Sequence, residues 1–310
     1  MKIYILDQYV PSGVAYASQH AEVVLWDDPR VRNWHEDADG LMVRATPLTA
    51  ADFHKAKKLK AVAKQGVGVN HIDLAAAKER GVIVCNTPGV NSEAVAEMAL
   101  ALALAVTRRV VETDRRIRAG EVVRRINYLG MELWEKTVGV IGMGNIGTRI
   151  ARKYHAAFNM KILAYDPYVS EKTWPDIPHE RLSSLDELLQ RSDLVTIHTP
   201  LTPETKHMIG SRALDLMKET AILVNVSRGE IVDEAALYDA LKAGRIFGAG
   251  LDVFKKEPPT TDNPLVGLPN IVVTPHAAGG TVETQDKSSL VTAQQLITAL
   301  KGGELMSRVA

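Results

Sequence analysis

The chain has 310 residues, 46% of them hydrophobic, enough for two domains that each bury a core. Lys plus Arg and Asp plus Glu both number 37, so no charge excess points to nucleic acid or to a membrane surface. The one cysteine, Cys85, excludes an internal disulfide and suits a reducing, cytoplasmic setting.

The N-terminal MKIYILD reads as a strand rather than a signal peptide. KIYIL, EVVLW, LMVRA, KAVAKQ and GVIVC follow as short apolar runs, separated by helical patterns such as ADFHKAKKLK and HIDLAAAKERG. That rhythm predicts a doubly wound α/β unit within the first hundred residues. Cys85, inside GVIVCN, is expected as a buried strand residue and not a nucleophile. The acidic run His35-Glu36-Asp37-Ala38-Asp39 lacks a calcium-loop spacing and reads as a solvated turn. One long helix is expected from about residue 92 to 120, stopped by Gly120. Its greasiest part, residues 94–106, is interrupted by Glu97 and is too short to span a bilayer.

A second α/β series begins at Val138 with VGVIG, KILAYD, LVTIHT, AILVNVS, IFGAGLDV and NIVVTPHA. Several are near-continuous apolar runs, as parallel strands buried on both faces should be. The first of them opens G-x-G-x-x-G, with Gly142, Gly144 and Gly147 between a strand and a helix that starts near Asn145. The glycines allow a tight turn, backbone approach of a pyrophosphate, and close helix packing. The helix N-terminus favours the phosphates. Asp166 ends the next strand, where a carboxylate accepts the adenosine ribose hydroxyls and repels a 2′-phosphate. NAD is therefore the expected cofactor. Residues 281–302 read as one amphipathic helix packing back on the first unit.

Three later strands end in polar residues, where ligands of parallel sheets bind. Arg228, in NVSRGE, could grip a carboxylate with two parallel hydrogen bonds; alone it also fits a surface arginine. Glu257, before two prolines, alone also fits a solvated loop acid. His276, in TPHAAGG, can give and take a proton near neutrality, and alone also fits a loop histidine. Their order behind a dinucleotide motif favours a shared site.

With GVGVNHIDLAAAKERGVIVCNTPGVNSEAVAE, GVIGMGNIGTRIA, HTPLTPETKHMI, NVSRGEIVDEAAL, GAGLDVFKKEPP and TPHAAGGT, the chain resembles the D-isomer-specific 2-hydroxyacid dehydrogenases. It is most similar to their 3-phosphoglycerate dehydrogenase branch. The resemblance implies an NAD-dependent oxidoreductase and a Rossmann NAD-binding domain, residues 99–282. This domain would be inserted into a flavodoxin-like substrate domain made of residues 1–98 and 283–310. It further implies a homodimer, an active site in the interdomain cleft, and reversible hydride transfer between NAD(H) and C2 of a 2-hydroxy or 2-keto acid. His276 would be the acid–base, Glu257 its partner that stabilises the protonated ring, and Arg228 the carboxylate anchor. The backbone of Val67, Gly68 and Val69, with Arg44 and Lys64, would bind substrate. Cofactor contacts would come from Gly142, Gly144, Asn145, Ile146, Gly147, Asp166, Thr199, Pro200, Val226, Ser227, Arg228, Asp252, His276 and Ala278, with Asp252 on the nicotinamide carboxamide.

The substrate loop departs from the branch, which typically reads R-A-G-T-G-V-D-N. Here Lys64 to His71 read KQGVGVNH. Lysine keeps a charge without the bidentate fork, and Val67 lacks a threonine hydroxyl. Arg44 sits where the branch keeps an arginine. Arg124 and Arg125 could add charge across a dimer or form a solvated face. A phosphorylated substrate therefore stands beside glyoxylate, hydroxypyruvate or another 2-keto acid. From another class, an NAD-sensing co-repressor keeps the same residues. Formate dehydrogenase would carry glutamine in place of Glu257. A C-terminal regulatory domain is not expected, nor is a metal, since the nine histidines form no HExxH or Cys/His cluster.

Overall fold

The computed structural model describes residues 1–170 and 172–310. The chain divides into two compact units, Met1–Asn91 with Gly280–Ala310, and Ser92–Gly279. Both are α/β, each built on one wholly parallel sheet.

The first unit holds strands β1 (Lys2–Ile5), β2 (Glu22–Val24), β3 (Gly40–Val43), β4 (Ala61–Lys64) and β5 (Ile83–Cys85), in the order β2-β1-β3-β4-β5. This is the flavodoxin-like order, with its switch point between β1 and β3. Successive side chains point to opposite faces, so one strand feeds two cores. Ile3 and Ile5 pack with Met42, Ala61 and Ala63 on one face, and Tyr4 with Leu41, Val43 and Val62 on the other. Cys85 is buried on β5, and burial pushes its thiol up to about 12, which keeps it protonated and inert.

The helix Val282–Leu300 belongs to this unit and lies against the helix Pro11–Ser18. A Cβ on Gly13 would run into Ser289, whose hydroxyl accepts from the Gly13 N–H at 3.2 Å and donates to the Val10 carbonyl at 3.1 Å. The helices touch because that position carries no side chain.

The second unit holds β6 (Thr137–Ile141), β7 (Lys161–Tyr165), β8 (Glu180–Arg181), β9 (Leu194–Ile197), β10 (Ile222–Asn225), β11 (Gly248–Leu251) and β12 (Ile271–Val273). Their order, β12-β11-β10-β9-β6-β7-β8, is the Rossmann order with one further strand at the edge. Alternation again splits two cores: Val138, Val140, Leu194, Ile222 and Val224 face one, Ile141, Val195, Ile197, Leu223 and Leu251 the other.

Two expectations need correcting, and one strand escapes the sequence reading. The helix expected over 92–120 is two helices, Ser92–Thr107 and Val110–Arg118, broken at Arg109 with φ +51°. Its guanidinium pairs with Glu112 at 2.8 Å and lies over the Phe247 and Tyr128 rings, contacts that hold the break. The first helix is continuous through Met98, where the sequence reading divides the chain. The acidic run is not a solvated turn: Asp37 accepts from Lys2 Nζ at 2.8 Å and the Tyr4 hydroxyl at 2.7 Å. Asp39 takes the Lys2 N–H at 2.9 Å, and His35 meets Asp52 at 3.0 Å. Finally, β8 is a two-residue edge strand too short to show a pattern. Among the described residues no helix is long and apolar enough to cross a membrane.

Candidate active site

In a parallel sheet every strand end lies along the same edge, so β6, β7, β9, β10, β11 and β12 deliver their following residues together. At the switch point between β6 and β9, Gly142 has φ +97°, and a Cβ there would lie 2.6 Å from the His198 carbonyl oxygen. A Cβ on Gly144 would meet nothing within 4 Å, whereas one on Gly147 would run into the Gly142 carbonyl. One glycine makes the turn, one leaves the backbone open, and one lets the helix close on the strand. The helix Asn145–Phe158 has no side-chain cap, so its first N–H groups remain available to an anion. Ile146 in its first turn is half-buried.

Asp166 follows β7, and its two oxygens accept from the backbone N–H of Met143 at 2.9 Å and of Tyr168 at 3.0 Å. That fixes the carboxylate beside the glycine turn. Thr199 follows β9, and its hydroxyl is buried without a partner among the described residues, as is Nδ1 of His198. Burial lowers the His198 pKa to about 3, so the ring is neutral beside the turn. Pro200 is exposed, and its carbonyl accepts from the Thr205 hydroxyl at 2.7 Å. An open glycine, an uncapped helix, a fixed acid and an orphaned hydroxyl together fit a dinucleotide.

β10 delivers Val226, Ser227 and Arg228. Asn225, fully buried at its end, accepts from the Ser227 N–H at 3.0 Å and donates to the Arg228 carbonyl at 2.9 Å. The Ser227 hydroxyl donates to the Ile197 carbonyl at 2.6 Å. This network holds the turn from which the Arg228 side chain leaves. Arg228 donates to the Ser227 carbonyl at 2.6 Å and forms no ion pair among the described residues. Burial lowers its pKa, and the charge of Glu257 works against that. A largely desolvated guanidinium with spare donors suits an incoming carboxylate.

The loop after β11 brings Glu257 to His276. Glu257 Oε2 lies 2.6 Å from His276 Nδ1, and Oε1 accepts from the Phe254 N–H at 3.1 Å. Burial would raise the Glu257 carboxyl, but these hydrogen bonds and the charges of His276 and Arg228 outweigh it and hold its pKa below the usual value. His276 sits at φ +54°, a conformation a side chain rarely adopts. Asp252 explains how it is held. Its carboxylate, fully buried, accepts from the Thr274 hydroxyl at 2.6 Å and from the N–H groups of Ala277 and Ala278 at 2.8 and 2.9 Å. The His276 N–H donates to the Asp252 carbonyl at 2.7 Å. The residue expected on a nicotinamide carboxamide thus spends three hydrogen bonds on the histidine turn.

Within the first unit, Arg44 directly follows β3, and Lys64 ends β4 opposite Val43. Asp7, after β1, accepts from the N–H groups of Arg44, Ala45 and Thr46 and from the Thr46 hydroxyl, leaving the Arg44 side chain exposed. Lys64 is buried, and a Cβ on Gly66 (φ +102°) would lie 2.8 Å from its Nζ. The loop carrying Val67, Gly68 and Val69 is tied down by Asn86, which donates to the Val67 carbonyl at 2.8 Å, and by Thr87, which accepts from the Gly66 N–H at 2.8 Å.

Residues 100–278 match the sequence profile of the NAD-binding domain of the D-isomer-specific 2-hydroxyacid dehydrogenases, more than half of the chain. The chain belongs to that family. It is 43% identical over 268 residues to the D-3-phosphoglycerate dehydrogenase of Methanocaldococcus jannaschii, covering 86% of this chain and 51% of that protein. To the glyoxylate reductase of Korarchaeum cryptofilum it is 42% identical over 314 residues, covering 98% of this chain and 94% of the other. A Thermus thermophilus protein of known structure superposes with a TM-score of 0.90 at 37% identity over the whole of both chains. The chain spans about half the length of the phosphoglycerate dehydrogenases it matches.

Against this family background, two supporting residues escape a reading of motifs. Asn225 is a polar residue closing an otherwise apolar strand, AILVN, and that pattern is the signal for it. Asp7 likewise ends the run KIYIL, at the switch point of the first sheet.

Proposed function

We propose that the chain catalyses reversible oxidation of a D-2-hydroxy acid to the 2-keto acid with NAD. The carrying observation is the 2.6 Å His276–Glu257 pair beside an arginine that has no ion pair among the described residues, at the strand ends of the family's NAD-binding domain. NAD supplies the hydride acceptor for C2 when bound. Glu257 engages Nδ1, so Nε2 of His276 takes the proton from the C2 oxygen in oxidation and returns it in reduction. Arg228 takes the substrate carboxylate and stabilises charge building on the neighbouring oxygen, an effect worth about 3 kcal/mol in comparable sites. Gly142, Gly144, Gly147 and the helix N-terminus hold the pyrophosphate, Asp166 the adenosine ribose, and Thr199, Pro200, Val226, Ser227 and Ala278 line the coenzyme.

To Arg44 and Lys64 we assign the charge of the substrate beyond its carboxylate, which favours a phosphorylated acid such as 3-phosphoglycerate. To the N–H groups of Val67, Gly68 and Val69 we assign its carboxylate. Glyoxylate and hydroxypyruvate are the second reading, favoured by near-full-length similarity to a glyoxylate reductase. We further infer a homodimer, supported by six exposed apolar side chains between Val110 and Trp134, and a cytoplasmic setting, supported by a single buried thiol.

The test is loss of NADH absorbance with 3-phosphohydroxypyruvate, hydroxypyruvate, glyoxylate and pyruvate, repeated with NADPH. Turnover of at least one acid with NADH preferred is expected. Tight NADH binding with silence across the panel would replace this reading with that of a coenzyme sensor. If phosphohydroxypyruvate leads, Lys64→Met should raise its KM more than that of hydroxypyruvate.

A further inference from the structure

The loop of residues 166–170 carries the acid assigned to the adenosine ribose, yet its neighbour β8 pairs with β7 over only two residues, Leu163↔Glu180 and Ala164↔Arg181. So short a ladder cannot hold the loop beyond it. One side chain does. Arg181 Nη2 donates to the carbonyls of Asp166 at 2.7 Å and Val169 at 2.6 Å, and Nη1 donates to the Ser170 carbonyl at 2.7 Å. Among the described residues this guanidinium forms no ion pair, so its charge is directed wholly at backbone oxygens.

We propose that Arg181 is a positioning residue for coenzyme selection, acting through Asp166. This rests on the reading of Asp166 as the ribose-binding acid. The Asp166 carboxylate is set by two N–H groups, Met143 on one side and Tyr168 on the other, and Tyr168 lies inside the clamped loop. Arg181 fixes the loop, the loop fixes the Tyr168 N–H, and that N–H aims Oδ1. A planar guanidinium can serve three carbonyls at once, which an ammonium on a flexible stem does less well. With three of its N–H donors spent on the loop carbonyls, Arg181 is also drawn away from a 2′-phosphate, although it lies one strand from the acid.

This arrangement has a signature that general damage to the coenzyme site would not produce. A wandering Asp166 loses its hydrogen bonds to the NAD ribose and its repulsion of the NADP phosphate at the same time. The two coenzymes should therefore respond differently.

The experiment is fluorescence titration of the full chain with NADH and with NADPH, without substrate, for wild type, Arg181→Met, Arg181→Lys, Asp166→Ala and the double variant Arg181→Met/Asp166→Ala. In Arg181→Met the NADH Kd should rise about tenfold while the NADPH Kd stays within about twofold or falls. In Arg181→Lys the NADH effect should be about threefold. In the Asp166→Ala background, Arg181→Met should add less than about twofold, because its effect passes through the missing carboxylate. Equal weakening of both coenzymes, unchanged NADH binding in either Arg181 variant, or full additivity in the double variant would each overturn the proposal. If Arg181→Met does not fold, Arg181→Lys and its pairing with Asp166→Ala decide the question. An unchanged NADH/NADPH ratio in Asp166→Ala alone would instead remove the coenzyme role of that acid, a separate failure.

Discussion

His276 is restrained twice: its backbone, at φ +54°, is pinned through Asp252, and its ring is oriented by Glu257 at 2.6 Å. The two restraints predict different phenotypes. His276→Ala removes the proposed proton carrier and should lower kcat by roughly 10²- to 10⁴-fold with the NADH Kd nearly unchanged. Retention of near-normal turnover would remove His276 from the chemistry. Glu257→Gln keeps the shape but not the charge that stabilises a protonated ring. Keto-acid reduction by this variant should therefore fall in kcat, with the NADH Kd nearly unchanged. The same carboxylate also makes a stability prediction. Its folded pKa lies below its unfolded one, so its contribution is full above the unfolded value near 4.5 and fades as pH falls through the folded value. Urea midpoints of wild type and Glu257→Gln should therefore differ most near neutral pH and converge as pH falls through the folded value. A gap that widens in acid would contradict the sign.

The helix Asn145–Phe158 and strand β6 meet through glycines whose demands differ, and substitution separates them. Gly147→Ala places a methyl group against the Gly142 carbonyl, so the helix must move off the strand. Stability should fall by about 1–3 kcal/mol, and coenzyme binding with it. Gly144→Ala meets nothing within 4 Å among the described residues and has an ordinary φ of −77°. It should melt like wild type while losing NADH affinity by more than about tenfold, because the methyl group would take the space proposed for the pyrophosphate. A Gly144→Ala variant with full affinity would mean the phosphates lie elsewhere. This contrast also shows what a sequence can reveal at this scale. The parallel strands announce themselves because consecutive residues such as Ile222 and Leu223, or Leu194 and Val195, are apolar although they point to opposite faces, and the glycine turn because its spacing follows from its geometry. The break at Arg109 and the edge strand Glu180–Arg181 leave no such trace. Both depend on what distant residues offer: aromatic rings at Tyr128 and Phe247 in one case, three carbonyls in the other. The acidic run at 35–39 misleads for the same reason, since its partners Lys2, Tyr4 and Asp52 come from other elements. The His276–Glu257 pair is legible only by family resemblance, because nothing local to either residue specifies the other.

At the scale of the whole molecule, apolar exposure is unevenly spread. Among the described residues, six of the eleven large hydrophobic side chains counted as exposed lie between 110 and 134: Val110, Ile117, Val122, Ile126, Leu129 and Trp134. Val122 is 88% exposed and Ile126 72%. The segment lies outside the sheets and comprises the helix Val110–Arg118, a short helical turn at Arg125–Tyr128 and irregular chain. Singly exposed hydrophobic residues are ordinary, but such a concentration supports the proposed homodimer, which would cover it. A second copy of the chain is the natural occupant, because a formal charge of zero imposes no net repulsion between copies. Light scattering after size exclusion should therefore give twice the 33.9 kDa chain mass. The double substitution Val122→Asp/Ile126→Asp would have to desolvate two carboxylates in each copy, and should give monomers that keep the wild-type circular dichroism spectrum. These side chains touch little of their own chain, so dissociation without unfolding is the specific expectation. A wild type that elutes as a monomer at micromolar concentration would leave this apolar segment without its proposed partner.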